Sequence, residues 1–358
     1  MTLTALDLFC GAGGLTRGLL NAGFNVVGAI DNWEPALESY RKNFPDHSSW
    51  SFDISSIETA TLADLGLPSQ IDLVAGGPPC QGFSHQRIGP DEDPRNALVL
   101  AFGKTVIAAN ARAFLMENVT GLLGARGRNT VRNFRDMMSN AGYEIRSAVL
   151  DAADFGVPQS RRRVFFVGWK HGALRSFTFP EPTVGRPRTV REALEGLPSP
   201  NGRAEASDPL HRRINLSALN LQRLQHIPPG GGFEDLPIEL RVSAHKNGPS
   251  RIGHRAVYGR LHPDKPAGTI TGRFDSFTRG RFAHPLEDRN ITLREGARLQ
   301  GFSDDHVFLG TQEEIAAQIG NAIPPLLART VAEAIASAFS SETVDHVLQT
   351  LPPFAAAE

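Results

Sequence analysis

The segment at the N-terminus constrains the fold most strongly. An apolar, strand-like run at 5–10 precedes a glycine-rich turn at 11–14, and residues 15–22 then show a helical pattern that ends at Gly23. A strand, a glycine turn and a helix in this order form the first half of a nucleotide-binding unit. Gly11 and Gly13 lack the Cβ atoms that would keep a ligand away from the backbone, although any tight strand-to-helix turn uses such glycines.

Acidic residues follow the next two apolar segments. The strand-like run at 24–30 ends on Asp31, and Asp53 follows the short segment at 51–52. Carboxylates at successive strand ends that face one crevice can accept hydrogen bonds from ribose hydroxyls and adenine amines. The pattern therefore predicts a site for an adenosine-containing ligand. The alternative is that each acid caps a helix.

Strand and helix patterns alternate through residues 1–170, which predicts an α/β fold built on a parallel, doubly wound, Rossmann-like sheet. Residues 180–290 are different, because proline, glycine and arginine dominate and periodicity is weak. This composition predicts a separate, smaller and irregular domain rich in loops, with one short helix at 216–225. An Ala/Leu-rich pattern predicts a terminal helix at 324–339.

A cysteine stands directly after a predicted buried strand at 71–75. Pro78 and Pro79 stop the strand ladder there and fix the backbone that presents Cys80. Ligands bind at the carboxyl ends of strands in open α/β sheets. Cys80 is therefore a candidate nucleophile, whereas the alternative reading is a small buried hydrophobic residue.

A carboxylate and two arginines also stand at the ends of predicted strands. The predicted strand at 113–116 ends on Glu117, and Arg161 and Arg163 precede the apolar strand at 164–168. Residues two apart in a strand point to one face, so the two guanidinium groups are expected side by side. The alternatives are a capping role for Glu117 and a solvated or phosphate-binding role for the arginines.

Taken together and in order, these motifs resemble the DNA (cytosine-5)-methyltransferases of the bacterial type. The resemblance covers roughly residues 3–170 and 258–340. The matching segments are Asp-Leu-Phe-Cys-Gly-Ala-Gly-Gly at 7–14, the acids Asp31 and Asp53, Pro-Pro-Cys-Gln at 78–81, Glu-Asn-Val at 117–119, Gln159 with Arg161 and Arg163, Arg294 and Glu295 with Arg-Leu-Gln-Gly-Phe at 298–302, and Gln-Ile-Gly-Asn-Ala-Ile-Pro-Pro at 318–325.

The resemblance implies a mechanism and a cofactor. The thiolate of Cys80 would add to carbon 6 of cytosine, Glu117 would contact ring N3 and the exocyclic amine, and Arg161 and Arg163 would lower the pKa of the thiol. S-adenosylmethionine would supply the methyl group. The residues expected to bind it are Phe9, Gly11 and Gly13 at the methionine end, Asp31 at the ribose, Asp53 and Ile54 at the adenine, and Asn321 beside the glycine turn. Since the family often has an aromatic residue at position 32, where this chain has Asn32, the adenine-stacking residue stays open between Asn32 and Trp33.

The resemblance also implies how the chain is divided. We expect a catalytic and cofactor-binding domain at 1–180, a target-recognition domain at 181–317, and a segment at 318–358 that completes the catalytic domain. The target cytosine must leave the DNA stack before its carbon 5 can react. The polar loop at 81–99 would close over that base, with Ser84 and Arg95 near phosphates.

The charge of the chain is unevenly distributed. The net charge of −1 divides into −5 for residues 1–154, +11 for 155–300 and −7 for 301–358. A basic middle segment in an otherwise acidic chain indicates a nucleic-acid-binding face, with ordinary surface arginines as the alternative, and the resemblance implies double-stranded DNA as the partner. The arginines that we expect to contact DNA are Arg186, Arg188, Arg212, Arg213 and Arg251. We expect a monomer, and a cognate restriction endonuclease that acts separately.

Several other classes of protein are less consistent with the sequence. There is no run of 18 apolar residues to predict a membrane span, the predicted strand begins at once without a secretion signal, and no cysteine–histidine spacing predicts a metal site. These features predict a cytoplasmic, nucleoid-associated enzyme. The alternatives are a tRNA-directed member of the same superfamily, a non-catalytic DNA-binding homologue and a small-molecule methyltransferase.

Overall fold

A seven-stranded sheet forms the centre of the protein. The computed structural model describes residues 2–79, 97–200, 208–242 and 257–339. Buried apolar side chains, such as Leu6 and Phe165, cover both faces of the sheet. The strands are β1 (Thr4–Leu8), β2 (Asn25–Asp31), β3 (Ser49–Ser51), β4 (Leu73–Gly76), β5 (Ala113–Val119), β6 (Tyr143–Asp151) and β7 (Arg162–Lys170), arranged in the order β3-β2-β1-β4-β5-β7-β6.

The sheet is mixed and not wholly parallel. Strands β1 to β5 pair in parallel, whereas β7 lies antiparallel to both β5 and β6. A parallel return needs a crossover of a dozen or more residues, and the connection at 152–161 is shorter than that. The expected α/β, doubly wound fold is confirmed, with this one reversed strand. Strands β1, β2, β4 and β5 still end at one edge of the sheet, where the candidate site residues collect.

Helices pack on both faces of the sheet. On one face, the first and last helices of the described chain pack together so closely that a Cβ on Gly18 would lie 2.5 Å from Cβ of Ala328. The expected helices at 216–225 and 324–339 are both present. The α-helices are α1 (Gly14–Asn21), α2 (Glu34–Asn43), α3 (Thr59–Asp64), α4 (Ala97–Ala108), α5 (Arg128–Asn140), α6 (Val190–Leu194), α7 (Ala218–Gln225), α8 (Leu293–Leu299), α9 (Gln312–Asn321) and α10 (Pro325–Ala338).

Between α6 and α9 the chain is largely irregular. Its regular β structure in the described residues is a two-stranded pair, β8 (Gly259–Arg260) and β9 (Arg281–Ala283). A separate apolar core around Phe274, Phe282 and Leu299 holds this region together. Ala12, from the glycine turn, belongs to the same core. This region therefore packs directly against the turn that follows β1.

Arginine side chains hold much of this irregular region together. Arg260 is 4% exposed, and it donates hydrogen bonds to the carbonyls of Leu224, Ile227 and His284. Loops have few internal backbone partners, so a buried guanidinium with five donors can satisfy several carbonyls at once. Part of the positive charge of residues 155–300 therefore serves the fold. In the described ranges, every helix is too short or too polar to span a lipid bilayer.

Candidate active site

The carboxyl edge of the sheet brings the predicted acid and arginines together. Nε of Arg163 lies 3.0 Å from Oε1 of Glu117, and Arg163 stands opposite Val119 in the β5–β7 pairing. Burial raises the pKa of Glu117, while the positive charges of Arg163 and Arg161 pull it down. A largely buried carboxyl beside two guanidinium groups suits a site that must bind and stabilise charge on a polar ring.

Arg161 is held more deeply than Arg163. It is 3% exposed, and its Nη1 donates to the carbonyl of Ile270 at 3.0 Å, while its Nε is buried without a hydrogen-bond partner. Burial, followed by the like charge of Arg163, lowers the pKa of Arg161. An unsatisfied buried donor is costly and is typical of a site that is completed by a ligand. The neighbouring Arg162 faces solvent, as the strand alternation predicted.

The segment that leads to the candidate nucleophile lies against Glu117. A Cβ on Gly77 would lie 3.4 Å from Oε2 of Glu117, and the amide of Asn118 donates to the carbonyl of Pro78 at 3.2 Å. Cys80 itself lies outside the described residues, as do Ser84, Arg95 and Arg251. The described structure therefore places the chain three residues before Cys80 beside the carboxylate.

The glycine turn after β1 is held by Asp31. Gly11 has φ of +53° and donates its N–H to Oδ2 of Asp31 at 2.8 Å, while Oδ1 accepts the N–H of Trp33 at 2.9 Å. Burial raises the pKa of Asp31, against the lowering effect of these hydrogen bonds. Nothing lies within 4 Å of the position that a Cβ on Gly11 would take. The turn thus leaves open space beside a backbone that only glycine adopts readily.

Phe9 also has an unusual backbone. Its φ of 57° lies in the left-handed region, which bulky side chains rarely adopt. Strained backbone of this kind is concentrated at ligand sites, where the surrounding structure holds it in place. Phe9 precedes Gly11 at the carboxyl end of β1, on the same edge as Asp31.

Asp53 and Ile54 occupy different environments. Oδ1 of Asp53 accepts the N–H of Ser55 at 2.9 Å and caps the short 3₁₀ helix Ile54–Ser56, and this hydrogen bond lowers the pKa of Asp53. The capping alternative thus describes what this side chain does in the structure. Ile54 is buried, with 3% of its surface exposed.

The last motif returns to the glycine turn. Asn321 is exposed at the end of α9, and the carbonyl of Ile323 lies only 2.5 Å from where a Cβ on Gly14 would be. The side chain of Ile323 also lies 3.3 Å from the Cβ position of Gly77. Ile323 therefore lies between the turn at 11–14 and the segment before Cys80, within the motif for which the resemblance implies a place beside that turn.

The arginines expected at DNA are distributed unevenly. Nη2 of Arg186 pairs with Glu192 at 2.6 Å, and Nη2 of Arg188 donates to the Glu192 carbonyl at 3.1 Å. Both arginines therefore lie beside the capping box of α6. The side chain of Arg186 is largely exposed. Arg212 and Arg213 are exposed in the irregular region. Among the described residues, no group of three or more His, Cys, Asp or Glu side chains could hold a metal ion.

Comparisons with known proteins point to one family. A family described as C-5 cytosine-specific DNA methylase matches residues 3–337. The chain is 37% identical to Type II methyltransferase M1.HphI of Haemophilus parahaemolyticus, over 94% of this chain and 87% of that one. It is 33% identical to Type II methylase M.HgiDII of Herpetosiphon aurantiacus, over 94% and 95%.

A solved structure shows the same architecture. An E. coli protein described as a DNA modification methyltransferase encoded within a prophage superposes with a TM-score of 0.74 at 25% identity, covering 94% of this chain and 99% of that one. The sequence match extends through nearly all of the described chain, from β1 to α10. The chain belongs to the C-5 cytosine-specific DNA methylase family.

Proposed function

We propose that this enzyme methylates a cytosine that is flipped out of a specific duplex DNA sequence, and that it does so through a covalent adduct on Cys80. Transfer of a methyl group from S-adenosylmethionine to carbon 5 of cytosine in DNA follows from family membership. The observation that carries the proposal is the position of the Gly77 segment, three residues before Cys80, beside the largely buried Glu117 that pairs with Arg163.

The chemistry requires this arrangement because carbon 5 of cytosine is a weak nucleophile. Addition of the Cys80 thiolate to carbon 6 forms a carbon–sulfur bond and places the electron pair of the 5,6 double bond on carbon 5. Contact of Glu117 with N3 and the exocyclic amine stabilises the charge that develops in the ring. After methyl transfer, loss of the proton from carbon 5 and elimination of the thiolate restore the double bond.

The residues around the glycine turn suit S-adenosylmethionine, which would supply an electrophilic methyl group when bound. The open space at Gly11 admits a ligand beside the backbone, and Asp31 keeps lone pairs for ribose hydroxyls beyond the two N–H groups that it accepts. We assign Phe9, Gly11 and Gly13 to the methionine end and Asp31 to the ribose. Asp53 and Ile54 are assigned to the adenine, and Asn321 to the rim.

Recognition of the DNA sequence is assigned to residues 181–317, inserted between the catalytic parts at 1–180 and 318–358. The exposed arginines Arg186, Arg188, Arg212 and Arg213 support this assignment, because guanidinium groups bind phosphates and guanine edges. The relatives are named as Type II methyltransferases, so we further propose a separately acting cognate endonuclease. The enzyme would act as a monomer on DNA in the cytoplasm.

Trapping with a fluorinated base tests the covalent step. A duplex that carries 5-fluorocytosine at the target blocks release, because fluorine cannot leave as the proton does. Wild-type enzyme should form a complex that survives denaturing electrophoresis, and Cys80→Ala should not, although it should bind S-adenosylmethionine normally. Cys10→Ala is the matched control, since the buried Cys10 is the other cysteine of the chain and trapping should persist without it.

The substrate class is tested in the same system. Tritiated S-adenosylmethionine is incubated with duplex DNA, with tRNA and without nucleic acid. Label should enter DNA alone. Covalent trapping by Cys80→Ala would overturn the assignment of the nucleophile, and labelling of tRNA alone would overturn the proposed substrate.

A further inference from the structure

The carbonyl of Ala12 is a buried acceptor at the centre of the glycine turn. Helix α1 has Gly13 as its N-cap, whose carbonyl accepts the N–H of Arg17 at 2.9 Å. Ala12 therefore precedes the hydrogen-bond ladder of the helix. It is only 2% exposed. A buried backbone carbonyl without a partner is costly, so this one needs a donor from elsewhere in the chain.

His306 supplies that donor from a distant part of the sequence. Its Nε2 lies 3.0 Å from the Ala12 carbonyl oxygen, across a separation of 294 residues. A carbonyl can only accept, so Nε2 must carry the proton. His306 stands between α8 and α9, in the segment that follows the Arg-Leu-Gln-Gly-Phe motif.

The imidazole is held by aromatic packing. Its ring centroid lies 4.6 Å from that of Phe302 and 4.8 Å from that of Phe308. The ring of Phe44, which contacts it edge-on, also closes over Gly13. His306 is 2% exposed, and this burial lowers its pKa to about 4; the hydrogen bond to Ala12 and the charge of Asp305 oppose the effect, while Arg17 and Arg294 add to it. The ring thus stays neutral at physiological pH, with its proton directed at the turn.

We propose that His306 is a positioning residue for the turn that binds S-adenosylmethionine, an inference that rests on the cofactor role proposed for that turn. Asp31 holds the Gly11 N–H on one side, and His306 holds the Ala12 carbonyl on the other. The two hydrogen bonds together fix the orientation of the turn before the cofactor arrives. A pre-ordered site loses less conformational entropy on binding, and so binds more tightly.

Two substitutions separate the hydrogen bond from the packing. His306→Phe keeps an aromatic ring but removes the donor, and it should weaken S-adenosylmethionine binding about tenfold by calorimetry, the effect of one lost neutral hydrogen bond. The turnover rate at saturating cofactor should stay within about twofold, because the chemistry at Cys80 does not change. His306→Gln, whose amide reaches the place of Nε2, should restore affinity to within about threefold of wild type.

Phe308→Leu is the matched control for a merely structural role. It loosens the packing around the imidazole but leaves the donor, so it should lower the melting temperature without changing cofactor affinity. Wild-type affinity in His306→Phe, or equal losses in His306→Phe and His306→Gln, would overturn the inference. The variant Asp31→Ala distinguishes failure of the proposed cofactor role of the turn from failure of the inference about His306. If Asp31→Ala binds the cofactor normally, both the proposed turn and this inference fail, whereas a loss in Asp31→Ala without one in His306→Phe overturns the inference alone.

Discussion

Nε of Arg163 lies 3.0 Å from Oε1 of Glu117, and both side chains are largely buried. The two residues lie on neighbouring antiparallel strands, β5 and β7, at the edge of the sheet next to the segment that precedes Cys80. Burial alone would favour a protonated Glu117, and the positive charge of Arg163 opposes that effect. The pKa of Glu117 therefore reflects a balance in which burial has the larger effect and the guanidinium groups of Arg163 and Arg161 partly offset it.

Removing either member of the pair should impair the chemical step. We expect Glu117→Gln to lower the turnover rate by roughly 100- to 10,000-fold, as for loss of a residue that exchanges charge or protons with the reacting group. The dissociation constant of S-adenosylmethionine should stay within about threefold of wild type, since Glu117 does not belong to the cofactor turn. Single-turnover kinetics and calorimetry measure the two quantities separately. A loss of cofactor affinity that matched the loss of rate would contradict this assignment.

Arg163→Gln should change how the reaction rate depends on pH. Because Arg163 lowers the pKa of Glu117, its removal should move the limb of the pH–rate profile that reports Glu117 to higher pH. Arg162→Gln is the matched control, since Arg162 is exposed on the opposite face of β7 and should leave the profile unchanged.

The residues that sequence patterns could predict are those placed by their own strand. Asp31 and Glu117 end β2 and β5, and the fold brings the carboxyl ends of such strands to one edge. Contacts between distant segments left no comparable pattern in the residues themselves, and the place of the motif at 318–325 beside the glycine turn came from the family resemblance alone. Ile323 reaches Gly77, and His306 reaches Ala12, only because the late segments fold back onto the turn.

The net charge of a segment was the least specific predictor of which residues bind DNA. Arg260 contributes to the net positive charge of the middle segment, but its guanidinium donates hydrogen bonds to carbonyls of its own region. Composition cannot distinguish such a side chain from one that binds DNA, because both give the same net charge. The direction of β7 was not predicted either. It runs antiparallel because the connection between β6 and β7 is short, and the alternation of strand and helix patterns did not reveal that length.

Asp7 should make stability depend on pH near neutrality. It is fully buried behind the glycine turn, with one oxygen accepting the hydroxyl of Thr16 at 2.6 Å and the other without a hydrogen-bond partner. Burial, and to a lesser degree the charge of Asp31, raises its pKa from 3.8 to about 7. The folded state thus binds a proton that the unfolded state has already lost, so stability falls as pH rises through this window.

Asp7→Asn isolates this effect, because asparagine resembles the protonated carboxyl. The unfolding free energy of wild type relative to Asp7→Asn should fall by about 1.4 kcal/mol per pH unit between pH 5 and 7 and level off above pH 7. Urea denaturation at each pH measures the difference. A difference that does not vary between pH 5 and 8 would show that Asp7 is ionised in the folded protein.

Arg289 should be one of the most sensitive positions for stability. It is 2% exposed, and its guanidinium meets both oxygens of Glu295, at 2.8 and 2.7 Å, and Oε2 of Glu287 at 3.0 Å. Arg289→Met leaves the Glu295 carboxylate buried without its cation, which should cost about 3–5 kcal/mol. Arg329→Met, in the exposed Arg329–Glu333 pair on α10, should cost less than about 1 kcal/mol in the same denaturation assay. Equal costs would show that burial of the Arg289 pair has no special effect.

The exposed arginines of the irregular region should contribute to DNA binding. Arg212 and Arg213 are exposed, whereas Arg260 is buried and bonded to carbonyls of its own region. The double variant Arg212→Ala, Arg213→Ala should keep the wild-type S-adenosylmethionine affinity but bind duplex DNA more weakly, and its loss of stability should stay within about 1 kcal/mol, as for exposed charges. Each phosphate contact that is lost should reduce the slope of log affinity against log salt by about 0.9. Arg260→Ala should instead lower the melting temperature, because it leaves several buried carbonyls unsatisfied. If the double variant binds DNA with the wild-type salt slope, these arginines do not contact phosphates, and DNA recognition by residues 181–317 must depend on other side chains.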